Sequence, residues 1–307
     1  MSDSTRAAHA ATTNDSALLR AWQRTSRIDP RYLIAGLITL VLVTAQLRYH
    51  MVGGYDRLLL SLAVCCATEA LLSWFDRGKV VNLLSAYISG ISLTLLTKPQ
   101  GGAYWPFIIG GFLAIASKYV LKYRDNHLWN PTNFAICALL LAAPEHVSVL
   151  SHQFGNDLTT NLIIWFFGFV IAARVGVVHI TLTYLASFLV FNALRAALLG
   201  QALLPEIAPI TGPMYQLFLF FMITDPRTIV RGRRNQIVVT VVIALMEALI
   251  RLASDRGWPL PTAFNAAPPL LALALIGPIA KYVDLRRTPA RAKPASPITN
   301  AQAPSPI

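Results

Sequence analysis

Long apolar runs, with charge confined to the short stretches between them, constrain this chain more than any other feature. A hydrocarbon layer about 30 Å thick takes roughly 20 apolar residues per helical crossing. Ten runs come close to that standard. They centre on residues 33–48, 58–75, 81–97, 104–121, 132–149, 161–177, 179–198, 213–224, 236–253 and 266–283. The eighth is short, so it either borrows from the loop before it or is broken. Only 13% of residues are charged, where a soluble domain carries about 25%. No two-residue alternation competes, and lipid admits only helices or closed barrels. The expectation is an all-α, polytopic integral membrane bundle of about ten transmembrane helices.

A net charge of +12 in a soluble chain would suggest nucleic acid. Membrane orientation explains it better. With the N-terminus inside and ten crossings, twenty Lys/Arg fall on inner segments and six on outer ones: Arg48, Arg57, Lys98, Arg195, Arg251 and Arg256. That bias follows the positive-inside rule. It puts both termini on the cytoplasmic side of a bacterial inner membrane, with the lipid bilayer as a partner and no nucleic acid.

Residues 1–30 are polar and lack the apolar core of a signal peptide, so a disordered cytoplasmic arm is expected. Residues 288–307, rich in Pro and Ala, are expected to be a disordered tail. Residues 31–287 form one membrane domain. Cys65, Cys66 and Cys137 all lie within apolar runs. They suit small core residues, not a disulfide framework or a four-cysteine cluster. The outer loop 145–160 carries Glu145, His146, His152 and Asp157, but reads as a solvated loop and no metal site is expected.

Ionisable residues inside apolar runs are functional candidates by default. Glu69 and Glu247 lie deep. They either pair with buried cations as structural glue or line a transport path. Lys118 and Arg174 lie near the inner ends of their runs, where snorkelling to the headgroups is the plainer account. Glu69-Ala-Leu-Leu and Glu247-Ala-Leu-Ile look alike, but their segments run in opposite senses and do not occupy corresponding halves, so the likeness reads as chance. Two motifs, Asn130-Pro131-Thr132-Asn133 and Thr224-Asp225-Pro226-Arg227-Thr228, each put a capping residue before a proline and predict helix starts. A helix start aimed into a cavity, with Lys118, His127 or Arg227 beside it, suits a phosphate or carboxylate. A helix re-entering the membrane after a tight turn is the alternative. Tyr215, Phe218, Phe220 and Phe221 crowd the eighth run, where a flat cofactor would stack or the rings simply pack.

Several stretches occur in a telling order: Glu69-Ala-Leu-Leu with a basic turn after it, Ser85-Ala-Tyr-Ile-Ser-Gly90 continuing to Thr97-Lys-Pro99, Lys118 followed by His127 and Asn130-Pro131, and Phe220-Phe-Met-Ile-Thr-Asp-Pro226. From Glu69 to about Leu285 the chain resembles the RnfD/NqrB family, membrane proteins of the Rnf electron-transport complex and of the sodium-pumping NADH:quinone reductase. The wording around Phe-Phe-Met-Ile-Thr-Asp-Pro-Arg-Thr is most similar to its UnbU-type branch, associated with enediyne-type gene clusters. The resemblance implies a helical bundle with internal pseudo-repeats and flavin mononucleotide joined to a Thr ten residues before the Asp of Thr-Asp-Pro. Here that position is Tyr215, within Gly212-Pro213-Met214-Tyr215, and Thr211 sits four residues early. The family's Asp-Gly before its Ser-Ala helix is replaced by Asn82-Leu83-Leu84. Covalent flavin is therefore not expected.

Three functions follow. One is a membrane redox protein holding FMN or a quinone non-covalently through Lys118, His127, Asn130, Tyr215, Thr224, Asp225 and Arg227, with other membrane redox subunits completing the circuit. Another is a transporter or channel for a small solute or ion, with Glu69 and Glu247 on its path. The third is a scaffold without chemistry. No glycine-rich nucleotide loop is present to support a soluble dehydrogenase.

Overall fold

The computed structural model describes residues 30–49, 54–149 and 158–287. The expectations for both tails (Pro30 apart), and those for His152 and Asp157, lie outside the described residues.

The chain is mostly helical. In order come α1 (Pro30–Tyr49), α2 (Tyr55–Arg77), α3 (Leu84–Leu96), β1 (Thr97–Pro99), α4 (Trp105–Val120), β2 (Lys122–Tyr123), β3 (Asn126–His127), α5 (Pro131–Ala142) and β4 (Val147–Val149). There follow α6 (Leu158–Val175), α7 (Val178–Leu199), α8 (Leu203–Ile207), α9 (Pro213–Leu217), α10 (Arg233–Asp255), α11 (Thr262–Ala266) and α12 (Pro268–Arg287). Four of these, α2, α7, α10 and α12, are long and apolar enough to cross a membrane. Shorter apolar stretches lie in α1, α3, α4, α5 and α6.

The third, fifth and eighth runs thus depart from full-length helices. With 13 residues, α3 is roughly 20 Å long, about two-thirds of a hydrocarbon core. It stops where Thr97 turns extended (φ −86°, ψ 127°) and Pro99 removes an amide donor. The 12-residue α5 stops at Ala143 (φ −145°, ψ 58°), just before Pro144. The freed backbone groups pair with each other: β1 lies antiparallel to β4, with Lys98 opposite Ser148. The eighth run is broken, with α9 passing into a π turn over Phe218–Met222 before the chain leaves helical geometry.

Helix α2 packs against α3 and α4, α7 against α10, α4 against α5, and α10 against α12. At the α2–α3 crossing Gly90 lets the backbones touch, and Ser61 Oγ donates to the Gly90 carbonyl at 3.0 Å. A Cβ on Gly90 would sit 3.2 Å from Leu62 Cα. On α6, Gly168 forms a notch for the Phe220 ring. A Cβ there would meet that ring at 2.6 Å.

Two of the long helices turn polar side chains inward and apolar ones outward, beside a core that is otherwise apolar. The buried face of α2 holds Ser61, Thr68, Glu69 and Ser73, while Leu59, Leu71 and Phe75 face outward. On α10, Thr240 and Glu247 are buried while Val238, Leu245 and Leu249 are exposed. Apolar side chains turned outward along long helices are compatible with an apolar solvent.

Candidate functional site

The most developed polar centre begins at Glu69. Helix α2 turns this carboxylate inward against α4, where Lys118 meets it. Lys118 Nζ donates to Glu69 Oε2 at 2.7 Å and to Ser85 Oγ at 3.0 Å, and Tyr119 donates its hydroxyl to Glu69 Oε1 at 2.9 Å. Both charged side chains are almost wholly buried. The lysine does not snorkel, because its partner lies one helix away and deeper than the surface.

From α4 the chain makes a tight hairpin, with Arg124 and Asp125 both at positive φ. That hairpin returns His127 beneath the end of α4. His127 Nδ1 faces the Lys118 carbonyl at 3.1 Å, and Nε2 faces Arg227 Nη1 at 3.3 Å. A carbonyl only accepts and a guanidinium only donates, so the ring carries its hydrogen on Nδ1 and is neutral. Burial, reinforced by the Arg227 charge, pushes its pKa below the usual histidine range.

Asn130 starts α5 as the sequence predicts: its side-chain oxygen accepts from Asn133 N at 3.1 Å, with Pro131 next in the helix. Its amide donates to Asp225 Oδ2 at 3.1 Å, across 95 residues of chain. The Thr224-Asp225-Pro226 motif does not start a helix. Asp225 Oδ1 accepts from Arg227 N at 3.0 Å, and its carbonyl accepts from Thr228 N and Ile229 N. One turn closes and stops, and α10 begins only after Gly232, which has φ 80°. Asp-Pro serves turns as well as helix starts, and here Asn130 draws the carboxylate into the turn geometry.

These groups enclose two adjoining spaces. An inner cavity of about 130 Å³ is lined by Lys118, His127, Asn130, Thr224, Asp225 and Arg227, with Ser85, Phe220 and Phe221 completing its wall. An outer chamber of about 610 Å³ is lined by Glu69, Asp76, Lys122 and Tyr119, and shares Ser85, Lys118, His127 and Arg227 with the inner one. Lys118, Arg227 and Asp225 all line the inner cavity, and Glu69 is already matched by Lys118.

Six of the seven predicted cofactor residues therefore converge, and Glu69 joins them. Tyr215 does not. It lies fully buried near the start of α9 and donates to Glu247, as does Tyr184. Arg251 Nε donates to the same carboxylate at 3.0 Å, and another of its nitrogens reaches the Tyr215 hydroxyl. Glu247 is thus held on three sides. Tyr215 and Arg251 line a different cavity of about 560 Å³, with Thr211 and Asn265. It lies at the opposite end of α10, on which the 18 steps from residue 233 to residue 251 rise roughly 27 Å. Tyr215 stands ten residues before Asp225, and the helical stretch and π turn between them separate it from the Lys118–Arg227 cavity. Arg195, counted among the outer cations, is likewise buried, paired with Asp255 and Glu206.

Sequence reasoning missed Ser85, Tyr119 and Arg251 as partners of buried charge. The Lys118-Tyr119 dipeptide and the four-residue step from Glu247 to Arg251 were their visible signals. In comparisons with known proteins, no family model matches the chain and no curated protein is significantly similar to it.

Proposed function

We propose that the chain is an integral membrane component of a redox system that holds a quinone or flavin non-covalently in the Lys118–His127–Arg227 cavity. The convergence of six residues, from the end of α4, the α4–α5 connection and the turn after α9, carries this reading. The outward apolar faces of α2 and α10 support a membrane setting, read here as about ten crossings of a bacterial inner membrane with the basic ends inside. The likeness of the ordered motifs to the RnfD/NqrB family supports the redox role.

The dimensions favour one ring over three in the inner cavity. Its 130 Å³ compares with the apolar cavity of about 150 Å³ that admits benzene. The outer chamber, at 610 Å³, falls in the range of roughly 300–1,000 Å³ typical of cofactor pockets. A quinone headgroup suits the inner space, with Phe220 and Phe221 as aromatic neighbours. Among the described residues, Lys118 uses two of its three donor hydrogens on Glu69 and Ser85, and Arg227 has five with one bond to His127. The spare donors suit quinone carbonyls or a flavin phosphate. The bound ring supplies the electron chemistry; these residues supply binding and orientation. Electrons must enter and leave through partner proteins.

The test is cofactor content of the protein purified with native lipids. Flavin fluorescence is read before and after denaturation, and quinone is extracted and quantified. Lys118→Met and Arg227→Leu are each expected to lower occupancy at least tenfold. Fluorescence that stays with the band in a denaturing gel would mean covalent attachment and end the non-covalent reading.

A transporter is the second reading, favoured by separate cavities at opposite ends of α10. Flux in proteoliposomes free of cofactor would support it, and Glu69→Gln is expected to abolish that flux. Protein with neither cofactor nor flux would leave the scaffold role.

A further inference from the structure

A groove runs between α10 and α12 on the outside of the bundle, away from both polar cavities. It has a volume of about 290 Å³, with Arg234 and Val238 lining it from α10 and Val283, Asp284 and Arg287 from α12. Its chemistry is divided along its length. Arg234 and Arg287 stand at one end, with Arg231 and Arg233 beside them, all four exposed. Asp284 is the one acid among its described lining residues, and it already accepts from Arg231 N at 3.2 Å. The mouth therefore keeps an excess of positive charge.

Below the mouth the groove becomes aliphatic. Arg234 and Val238 are one helical turn apart on α10, and Arg287 and Val283 one turn apart on α12, so each arginine sits directly above a valine. Exposed aliphatic residues continue away from the arginines on both helices. On α10 they are Val238, Val242, Leu245 and Leu249; on α12 they are Val283, Ile279 and Leu275. These spacings of three and four keep each row on one face of its helix. From Val238 to Leu249 the row rises roughly 16 Å, about the depth of one leaflet's hydrocarbon.

We infer that this groove binds an anionic phospholipid, its phosphate between Arg234 and Arg287 and an acyl chain along the two aliphatic rows. Charge complementarity selects the headgroup, since a basic pocket between helices on the inner side of a membrane attracts anionic lipid. Arginine suits a phosphate diester because its planar fork donates two parallel bonds. The aliphatic rows select a lipid over a free phosphate, which would leave them uncovered. This inference rests on the membrane reading alone and not on any cofactor.

The test is native mass spectrometry and thermal unfolding of the detergent-purified full chain, titrated with phosphatidylglycerol, phosphatidylcholine or inorganic phosphate. Phosphatidylglycerol is expected to stay bound and raise the unfolding midpoint, while phosphatidylcholine and phosphate leave it unchanged. Arg234→Gln with Arg287→Gln should weaken phosphatidylglycerol at least tenfold. Arg234→Lys with Arg287→Lys should restore part of the loss. Both arginines are exposed, so these variants are expected to fold. Equal binding of phosphatidylcholine and phosphatidylglycerol, or wild-type affinity in the glutamine variant, would overturn the site. Stabilisation by inorganic phosphate alone would overturn the lipid assignment. A chain that is monodisperse without detergent would instead sink the membrane reading beneath it.

Discussion

The Glu69–Lys118 pair is the contact on which most of the inner site hangs. Burying two charges is costly, and removing one partner strands the other, a loss of about 3–5 kcal/mol. Glu69→Gln or Lys118→Met alone should therefore lower the thermal midpoint sharply. The double change Glu69→Met with Lys118→Met should recover most of that loss while the cofactor stays absent. A double variant no more stable than the singles would show that the pair contributes more than mutual neutralisation. Both residues stand out in the sequence as charges within apolar runs. Their pairing does not, because 49 residues separate them and no local periodicity links one helix to the next but one.

His127 gives the same site a pH signature. Its folded pKa lies below the ordinary value of 6.5, so as pH falls through 6.5 the unfolded chain takes up a proton that the folded chain refuses. Stability contributed by the neutral ring is thus complete at pH 7.5 and declines between about 6.5 and the lower folded pKa. Thermal midpoints from pH 7.5 to 5.5 should fall less steeply in His127→Asn than in the parent. Identical slopes would mean that the ring is not held neutral.

Among the elements, the start of α5 and the turn after α9 act as one unit through the Asn130–Asp225 hydrogen bond. Asn130→Ala removes a cap worth about 1 kcal/mol and also frees Asp225. Asn130→Asp keeps a capping oxygen but sets a second carboxylate against the first. The alanine variant should be moderately less stable. The aspartate variant should be more damaging to anionic-ligand affinity than to helix α5, as read by a binding titration beside a melting curve. The helix start at Asn130 was legible because the side-chain cap and Pro131 act within four residues. The turn at Asp225 was not, since its geometry is decided by an amide on another helix. The early end of α5 was equally hidden. Its apolar run continues into β4, and hydropathy does not distinguish a helix from a short extended pair at the same depth.

For the molecule as a whole, the apolar runs carried the helical architecture, four of them as helices long enough to cross a membrane. They carried it because a helix in lipid must be apolar outside whatever it packs against inside. What they did not carry was the division of polar groups between two ends. Arg195 and Arg251 count as loop charges in a linear reading, yet both fold inward against carboxylates. The orientation is directly testable. In a chain with its native cysteines replaced, Arg233→Cys and Arg256→Cys should react with a membrane-impermeant maleimide from opposite faces of sealed vesicles, the first only from the cytoplasmic face. Labelling of both from one face would reject α10 as a spanning helix.

The notch at Gly168 ties two distant stretches of sequence into one inherited unit. The Phe220 ring forms part of the inner cavity wall, and it lies where it does because α6 offers no side chain at that point. A drift from Gly168 to alanine, a single-codon step, would push the ring towards the cavity or force a smaller residue at 220. In chains descended from this one, the two positions should therefore change together. The shape of the binding space would then be set by a residue that never touches what is bound.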